Sequence, residues 1–327
     1  MTMTFAQPID AFRHEALLYA GLDDFLTGTV QFIRDGLAGG ESVLVVESAA
    51  KIALHRAELS GAAVSVLFAD MAEVGANPAR IIPAWRDFVT QHGGSGRGLR
   101  GIGEPIWSGR STAELIECQR HESLLNVAFA PDTPWWLLCP YDTQSLDPSV
   151  IDEARRSHPF IADGYAHRHS FDFRGLAESG APFDVPLPDP PRAAQVLAFG
   201  SENRMAARGL VSECAGNAGL GSSRAADLVL AVDEIIHNSI RLGGGQGSLR
   251  IWHEAGSVVC EIFDAGRFEQ PLADRERPDP GAAGPRGLWL ANQLCDLVQV
   301  RSFFSGTVVR LHMRSKRAHQ GLSIGQA

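Results

Sequence analysis

The segment DLVLAVDEIIHNSIRLGGGQG, Asp227 to Gly247, decides the fold of the second half of this chain. Its apolar residues recur at helical spacing, and three glycines follow the helix. Glu234 and Asn238 are four residues apart, so the helix places them on one face, one turn from each other. An amide oxygen can ligate Mg²⁺ and a carboxylate beside it can deprotonate a nucleophile, but the same spacing is common on solvated helix faces.

Three further motifs follow this helix. EIFDAGRF places Asp264 at the end of a strand, where its carboxylate can accept a hydrogen bond from the amine of a base or close an ordinary Asx turn. GPRGLWLANQLCDLVQV puts Gly284 and Gly287 before an amphipathic helix, whose free N–H groups can receive a phosphate. SGTVVRLHM presents Thr307 on a late strand. Singly, each motif also has a purely structural explanation.

Together and in this order, the four motifs resemble the GHKL (Bergerat-fold) ATPase family, in particular its anti-sigma-factor serine kinases. The resemblance runs from about Ala193 to Met313 and implies a two-layer α/β sandwich that binds ATP and Mg²⁺. It implies Glu234 as general base, Asn238 as the Mg²⁺ ligand and Asp264 as the residue that reads adenine. It also implies a nucleotide pocket lined by Gly266, Gly284, Gly287 and Leu288, with Thr307 on the adenine side.

Two positions depart from the family pattern. Arg267 and Phe268 follow Gly266 directly, where a second glycine is usual, and Leu242 stands where a histidine commonly ends the helix. Arginines could compensate by meeting phosphates as charge-assisted donors. The candidates are Arg267, Arg275, Arg277 and Arg286.

A proline-rich stretch divides the chain. APFDVPLPDPP, Ala181 to Pro191, holds five prolines and can neither extend a helix nor pair as a central strand. We therefore expect a domain over residues 1–180, a linker over 181–191, a second domain over 192–315 and a polar tail over 316–327. Within the second domain, the pattern predicts a first helix from Pro191 to about Ala218.

The first half alternates short apolar runs with segments of helical spacing. Strands are predicted at Ala16–Tyr19, Ser42–Val46, Val64–Phe68, Leu99–Gly103 and Trp136–Cys139. Helices are predicted at Asp23–Leu37, Ala49–Leu59, Pro78–His92 and Thr112–Ala128. Such alternation predicts a parallel sheet covered on both faces. No G-x-x-x-x-G-K-[ST] phosphate loop occurs in the chain.

Polar residues follow several of these strands, where parallel sheets bind ligands. The motifs FRHEALLYAGLDDFL, GLAGGESVLVV, GEPIW, HESLLNVAF and LCPYD resemble the MEDS sensory-domain family from about Phe12 to Pro159. The resemblance implies a RecA-like fold without a working phosphate loop that senses a small molecule or a protein partner. The candidate pocket residues are His14, Glu104, Trp107, Arg110, Glu122, Tyr141 and Asp142. For Trp107 and Arg110, pinning of a loop is an equal alternative.

The histidines and cysteines suggest no established motif. His14, Cys118, His121 and Cys139 could hold a metal, but their spacing matches no metal motif and packing is the favoured interpretation. His237 lies inside the helix beside Asn238 and is interpreted as a packing or surface residue. The five cysteines are odd in number and never form C-x-x-C, which favours buried thiols in a reducing cytosol.

Composition limits the partners. The 327 residues carry a net charge of −9 without a run of basic residues, which argues against direct nucleic-acid or anionic-membrane contact. We expect a cytoplasmic regulator of transcription that senses a signal and either sequesters a sigma factor or phosphorylates a serine on an anti-sigma-factor antagonist, with a homodimer as one possible state. The alternatives are a non-catalytic protein-docking switch and, less favoured, a sensor histidine kinase.

Overall fold

The computed structural model describes residues 10–163, 166–178, 183, 185–267, 272–278 and 286–315. The chain divides into two compact units. The first comprises residues 1–185 together with 271–277, and the second comprises 186–270 with 278–327. The predicted polar tail, residues 316–327, lies outside the described part of the chain, as do residues 181, 182 and 184 of the predicted linker.

The first unit is built on a sheet whose described strands run in the order β3-β2-β4-β5-β1-β6-β7. The strands are β1 (Arg13–Tyr19), β2 (Ser42–Glu47), β3 (Val66–Asp70), β4 (Leu99–Gly103), β5 (Trp135–Asp142), β6 (Phe160–Asp163) and β7 (Ala166–His169). The helices are α1 (Leu22–Ala38), α2 (Ala49–Leu59), α3 (Met71–Val74), α4 (Ile81–His92), α5 (Thr112–Ala128) and α6 (Pro148–Ser157). Strands β1 to β6 pair in parallel, and β7 pairs antiparallel with β6.

Both faces of this sheet are buried. Along β1, Ala16 and Leu18 pack into one hydrophobic cluster while Leu17 packs into another, as expected when successive side chains point to opposite faces. The predicted parallel α/β domain is therefore confirmed. The predictions did not include helix α6, nor strands β6 and β7, which extend the sheet beyond β1.

The second unit is an antiparallel sheet with helices. Its strands are β8 (Gln195–Gly200), β9 (Gln246–Glu254), β10 (Ser257–Asp264), β11 (Leu297–Phe303) and β12 (Gly306–Arg314), in the order β11-β12-β10-β9-β8. Its helices are α7 (Arg204–Asn217), α8 (Ser222–Leu242) and α9 (Arg286–Leu294). Ala255 and Gly256 both have positive φ, 45° and 76°, as a two-residue hairpin turn between β9 and β10 requires. The predicted two-layer α/β arrangement and its hairpin are confirmed.

The predicted helix from Pro191 to about Ala218 is wrong in its first part. Residues Gln195–Gly200 form a strand that pairs antiparallel with β9, and the helix begins only at Arg204. Pairing satisfies the backbone groups along β9, and this tertiary gain outweighs the weak helix preference of the local sequence. The Asn203 side chain closes the bend, since it accepts from Gly200 N (2.7 Å) and donates to Ala198 O (2.7 Å).

No helix within the described residues is both long and apolar enough to cross a membrane.

Candidate functional site

Two adjacent acidic residues of α8, Asp233 and Glu234, have different surroundings. Asp233 is buried, and its carboxylate accepts hydrogen bonds from Arg204 at 2.6 and 2.9 Å and from Arg208 at 2.5 Å, both on α7. Burial raises the pKa of Asp233, but these arginine contacts outweigh it and hold the pKa below its usual value. Glu234 and Asn238 are half-buried and form no hydrogen bond with another described side chain. Their polar atoms are therefore available for a ligand.

Asp264 and Thr307 are brought together by sheet pairing. They are direct partners in the β10–β12 register, although 42 residues separate them in the chain. The Thr307 hydroxyl donates to Gly266 O at 2.8 Å, and Gly266 N donates to Asp264 Oδ1 at 2.7 Å. The second Asp264 oxygen accepts from the Ser239 hydroxyl at 2.6 Å. Each carboxylate oxygen accepts one hydrogen bond here and has capacity for another, such as one from an adenine amine.

Gly287 lets α9 approach α8 closely. A Cβ at this position would lie 2.5 Å from Asn238 Nδ2 and 3.0 Å from the Glu234 carbonyl oxygen. Leu288, the next residue, is buried in the hydrophobic core of the unit. The start of α9 therefore lies against the turn of α8 that carries the candidate base and Mg²⁺ ligand. Gly284 lies outside the described residues.

These contacts place the described candidate residues of the second unit in one neighbourhood. Asp264 is joined to α8 through Ser239, which directly follows Asn238. Gly266 bridges Asp264 and Thr307. The Asp264 carboxylate, which can accept from a nucleotide base, therefore lies beside Asn238 and Glu234, whose oxygens suit a phosphate-bound metal ion. The donor set fits a nucleotide with Mg²⁺.

The sequence reading did not single out Ser239. A serine inside an amphipathic helix usually bonds back to the preceding turn, and this hydroxyl does contact Ile235 O at 3.1 Å. Its position next to Asn238 was the available signal, but only the pairing of strand and helix reveals its bond to Asp264.

The arginines proposed as phosphate partners divide between the units. Arg275 and Arg277 belong to the first unit, where they contact Glu117 at 3.5 Å and Asp87 at 3.1 Å respectively. Arg275 is 1% exposed. Arg267 remains in the second unit with its guanidinium 5.9 Å from the centre of the Phe304 ring, and Arg286 begins α9.

In the first unit, the seven candidate pocket residues fall into three groups. Glu104 belongs to a polar cluster at the carboxyl end of the sheet, where it accepts from Tyr19 Oη at 2.8 Å and from Lys51 Nζ at 2.5 Å. Burial raises the pKa of Glu104, and Lys51 opposes that shift. Asp142, at the end of β5, is near enough to add a further repulsive charge. Lys51, on α2, and Tyr19, the last residue of β1, were absent from the predicted set. The available signal was that β1, β2 and β4 are parallel strands, whose carboxyl ends meet at one edge of the sheet.

Trp107 and Arg110 form the second group. The Arg110 guanidinium stacks on the Trp107 ring at 3.8 Å and donates to Pro105 O and Gly75 O. These bonds hold the loop after β4 against the loop after α3. The geometry is that of the loop-pinning alternative.

The third group is fully buried. His14 contacts Glu122 at 3.1 Å between Nε2 and Oε2, and the Tyr141 ring lies edge-on to His158 at 5.5 Å. Burial lowers the pKa of His14 to about 4. His158, which directly follows α6, is 0% exposed.

Two family models match the chain. Residues 13–159 match MEDS, the MEthanogen/methylotroph, DcmR Sensory domain, and residues 201–313 match the Histidine kinase-like ATPase domain. The chain therefore joins a MEDS-type segment to an ATPase-type segment, as the motifs predicted. No curated protein matches it.

One solved structure with similarity is the crystal structure of the RsbU and RsbW domains of Rv1364c from Mycobacterium tuberculosis. The match has 18% sequence identity and a TM-score of 0.29, and it covers 37% of this chain. It spans 32% of the length of that chain.

Proposed function

We propose that this chain is a signalling regulator of the anti-sigma-factor type whose second unit binds ATP and Mg²⁺. One observation carries the proposal. Asp264 is hydrogen-bonded to Ser239 and paired with Thr307, and Ser239 lies on the same helix as Glu234 and Asn238. All five residues lie in the segment that matches the histidine kinase-like ATPase model. The effector either phosphorylates a serine on an antagonist protein or sequesters a sigma factor. The protein could act as a homodimer.

The residues of α8 and β10 divide the chemistry. Asp264 would accept the adenine amine, because its carboxylate is fixed by Ser239 and the Gly266 amide. The Asn238 amide oxygen would hold Mg²⁺, which supplies positive charge at the transferring phosphoryl group when bound. Glu234 would accept the proton of the attacking serine hydroxyl, since, unlike Asp233, its carboxylate forms no salt bridge with an arginine of the described segments.

A route for the input is supported by the packing of residues 272–277. In sequence this segment lies between Asp264 and Gly287, yet it packs within the first unit. Leu272 adds to the hydrophobic core there, and Arg275 is buried beside Glu117. A ligand that altered the packing of the first unit would therefore act on the chain that connects the two glycine motifs. We propose that the sensory signal, from a small molecule or protein, reaches the nucleotide site in this way.

Phosphoryl transfer from radiolabelled ATP to candidate antagonist proteins tests the kinase function. We expect Glu234→Gln to abolish transfer while ATP binding persists, because the amide keeps the shape of the side chain but cannot accept the proton. Glu213→Gln, an exposed position on α7, is the matched control and should transfer normally. Transfer that survives Glu234→Gln would exclude Glu234 as the base.

Calorimetry with ATP and Mg²⁺ separates the kinase from a docking protein. Binding that is lost in Asp264→Asn supports the nucleotide site. Absence of binding at millimolar nucleotide would favour a non-catalytic docking function, for which the departure at Arg267 is the supporting observation. Acid-labile autophosphorylation would instead indicate a histidine kinase.

A further inference from the structure

Four metal-binding side chains converge inside the first unit. His14 lies on β1, Glu122 on α5, Cys139 on β5, and His158 directly after α6. One ligand atom from each lies within 4.8 Å of every other. All four residues are at most 1% exposed. Two imidazoles, a thiol and a carboxylate from segments distant in sequence therefore lie together in the interior of the unit.

The hydrogen bonds around His14 determine which nitrogen faces this point. Asn126 donates through its amide nitrogen to the backbone oxygens of Ser157 (2.7 Å) and Ser123 (3.1 Å), so its Oδ1 can only accept. His14 Nδ1 lies 3.0 Å from that oxygen and must therefore carry a proton. In the neutral ring, Nε2 then presents a lone pair toward Glu122 Oε2, 3.1 Å away.

His158 is oriented in the same way. Its Nδ1 lies 2.8 Å from Ala154 O, a pure acceptor, so the proton is on Nδ1. Its Nε2 lies 3.3 Å from Glu122 Oε2 and makes no hydrogen bond. Glu122 Oε1 also has no hydrogen-bond partner. Cys139 Sγ lies 3.5 Å from His14 Nε2, so its S–H is a weak donor to that nitrogen. His158 Nε2 and Glu122 Oε1 still face this point as unpaired acceptors in a dry interior, where such groups are costly.

A cation at the centre would accept one coordination bond from each of the four side chains and so satisfy these acceptors. Imidazole nitrogen, thiolate sulfur and carboxylate oxygen in a set of four are the ligands of zinc and related first-row metals, whereas Mg²⁺ and Ca²⁺ prefer oxygen alone. A metal-bound histidine also usually donates its other N–H to a carbonyl or carboxylate group, and both histidines here donate to oxygen. We propose that His14, Glu122, Cys139 and His158 form a site for a single divalent transition-metal ion of the zinc class.

The set differs from the sequence hypothesis that grouped His14 and Cys139 with Cys118 and His121. Cys118 bonds instead to Pro105 O at 3.4 Å, so it is buried but directed to a loop carbonyl. This makes Cys118 a matched control for Cys139, because both thiols are fully buried in the same unit.

Titration of the full-length, chelator-treated protein with Co²⁺ tests the site. We expect uptake of one equivalent with a thiolate-to-cobalt charge-transfer band and the visible bands of tetrahedral cobalt, both displaced by Zn²⁺. The charge-transfer band should be absent in Cys139→Ser and present in Cys118→Ser. Asn126→Ala, which frees the His14 ring, should weaken Zn²⁺ affinity by about 10- to 100-fold.

The wild-type titration does not depend on any variant folding. No cobalt uptake by the wild-type chain, or a charge-transfer band that Cys139→Ser leaves intact, would overturn the proposal. Elemental analysis of the protein as purified adds a second readout, in which one equivalent of zinc or iron per chain supports the site.

Discussion

The contact of Gly287 with α8 yields a quantitative prediction for Gly287→Ala. The new Cβ would lie 2.5 Å from Asn238 Nδ2 and 3.0 Å from the Glu234 carbonyl oxygen. The amide can rotate away, but the carbonyl belongs to a helix packed in the core and cannot. Overpacking of this kind costs about 1–3 kcal/mol, whereas Ala gains up to about 1 kcal/mol over Gly in a helix. We expect a net loss of stability of about 1–2 kcal/mol.

Gly209→Ala provides the matched control. Gly209 lies inside α7, in the same unit, and nothing lies within 4 Å of a Cβ built there. The same substitution should therefore stabilise this helix by about 0.5–1 kcal/mol. Both substitutions place Ala in a helix, at the first turn of α9 and inside α7, and only the methyl group at position 287 meets close neighbours.

Hydrogen exchange of α8 peptides and calorimetry with ATP measure the two effects. Gly287→Ala should speed exchange in the last turns of α8 and weaken ATP binding, because it displaces Asn238. Gly209→Ala should do neither. If Gly287→Ala proves as stable as Gly209→Ala, or binds ATP as tightly as the wild-type chain, the close approach of α9 to α8 is not what positions Asn238.

Three further substitutions have expected outcomes. Asp233→Asn should cost about 1 kcal/mol in urea unfolding, since its arginine partners are one-third exposed and solvent screens them. Because the pKa of Asp233 is depressed in the fold, that contribution is present above its usual value of 3.8 and is lost at lower pH, so wild type and variant should converge there. Ser239→Ala should weaken ATP binding and cost about 1–3 kcal/mol by leaving Asp264 Oδ2 without its buried donor; unchanged binding would contradict a role in orienting Asp264. Lys51→Met should raise the pKa of Glu104 further. The variant should therefore lose stability relative to the wild-type chain as the pH rises above 4.5, because the folded state must then give up a proton that it holds more tightly than the unfolded state. A loss of stability that does not depend on pH would refute the charge argument.

Local patterns predicted most of the helices and strands of the first unit. Helices Ala49–Leu59 and Thr112–Ala128 were predicted to the residue from their apolar spacing, and each follows a serine whose side chain caps the first turn. Residues Gln195–Gly200 were mistaken for helix because their conformation is set by pairing with β9, which lies about 50 residues later in the chain. The motifs located Asp264 and Thr307, but their direct opposition depends on strand register.

The buried cluster in the first unit shows the same limit more clearly. His158 follows a helix that the sequence reading did not predict, so no spacing rule could join it to His14. Glu122 was singled out as a pocket residue, yet its partners come from three separate segments. Only the tertiary fold brings these polar groups into one dry interior.

The membership of residues 272–277 in the first unit makes that unit discontinuous along the chain. A fragment cut at the proline stretch would remove residues 272–277 from Glu117 and the core around Leu272. An isolated first unit would carry an uncovered apolar patch, and an isolated second unit would carry a loose, partly apolar insert. Excision is therefore a perturbation of both halves, and loss or gain of ATP turnover in a truncated protein would report on the missing segment as much as on the missing domain.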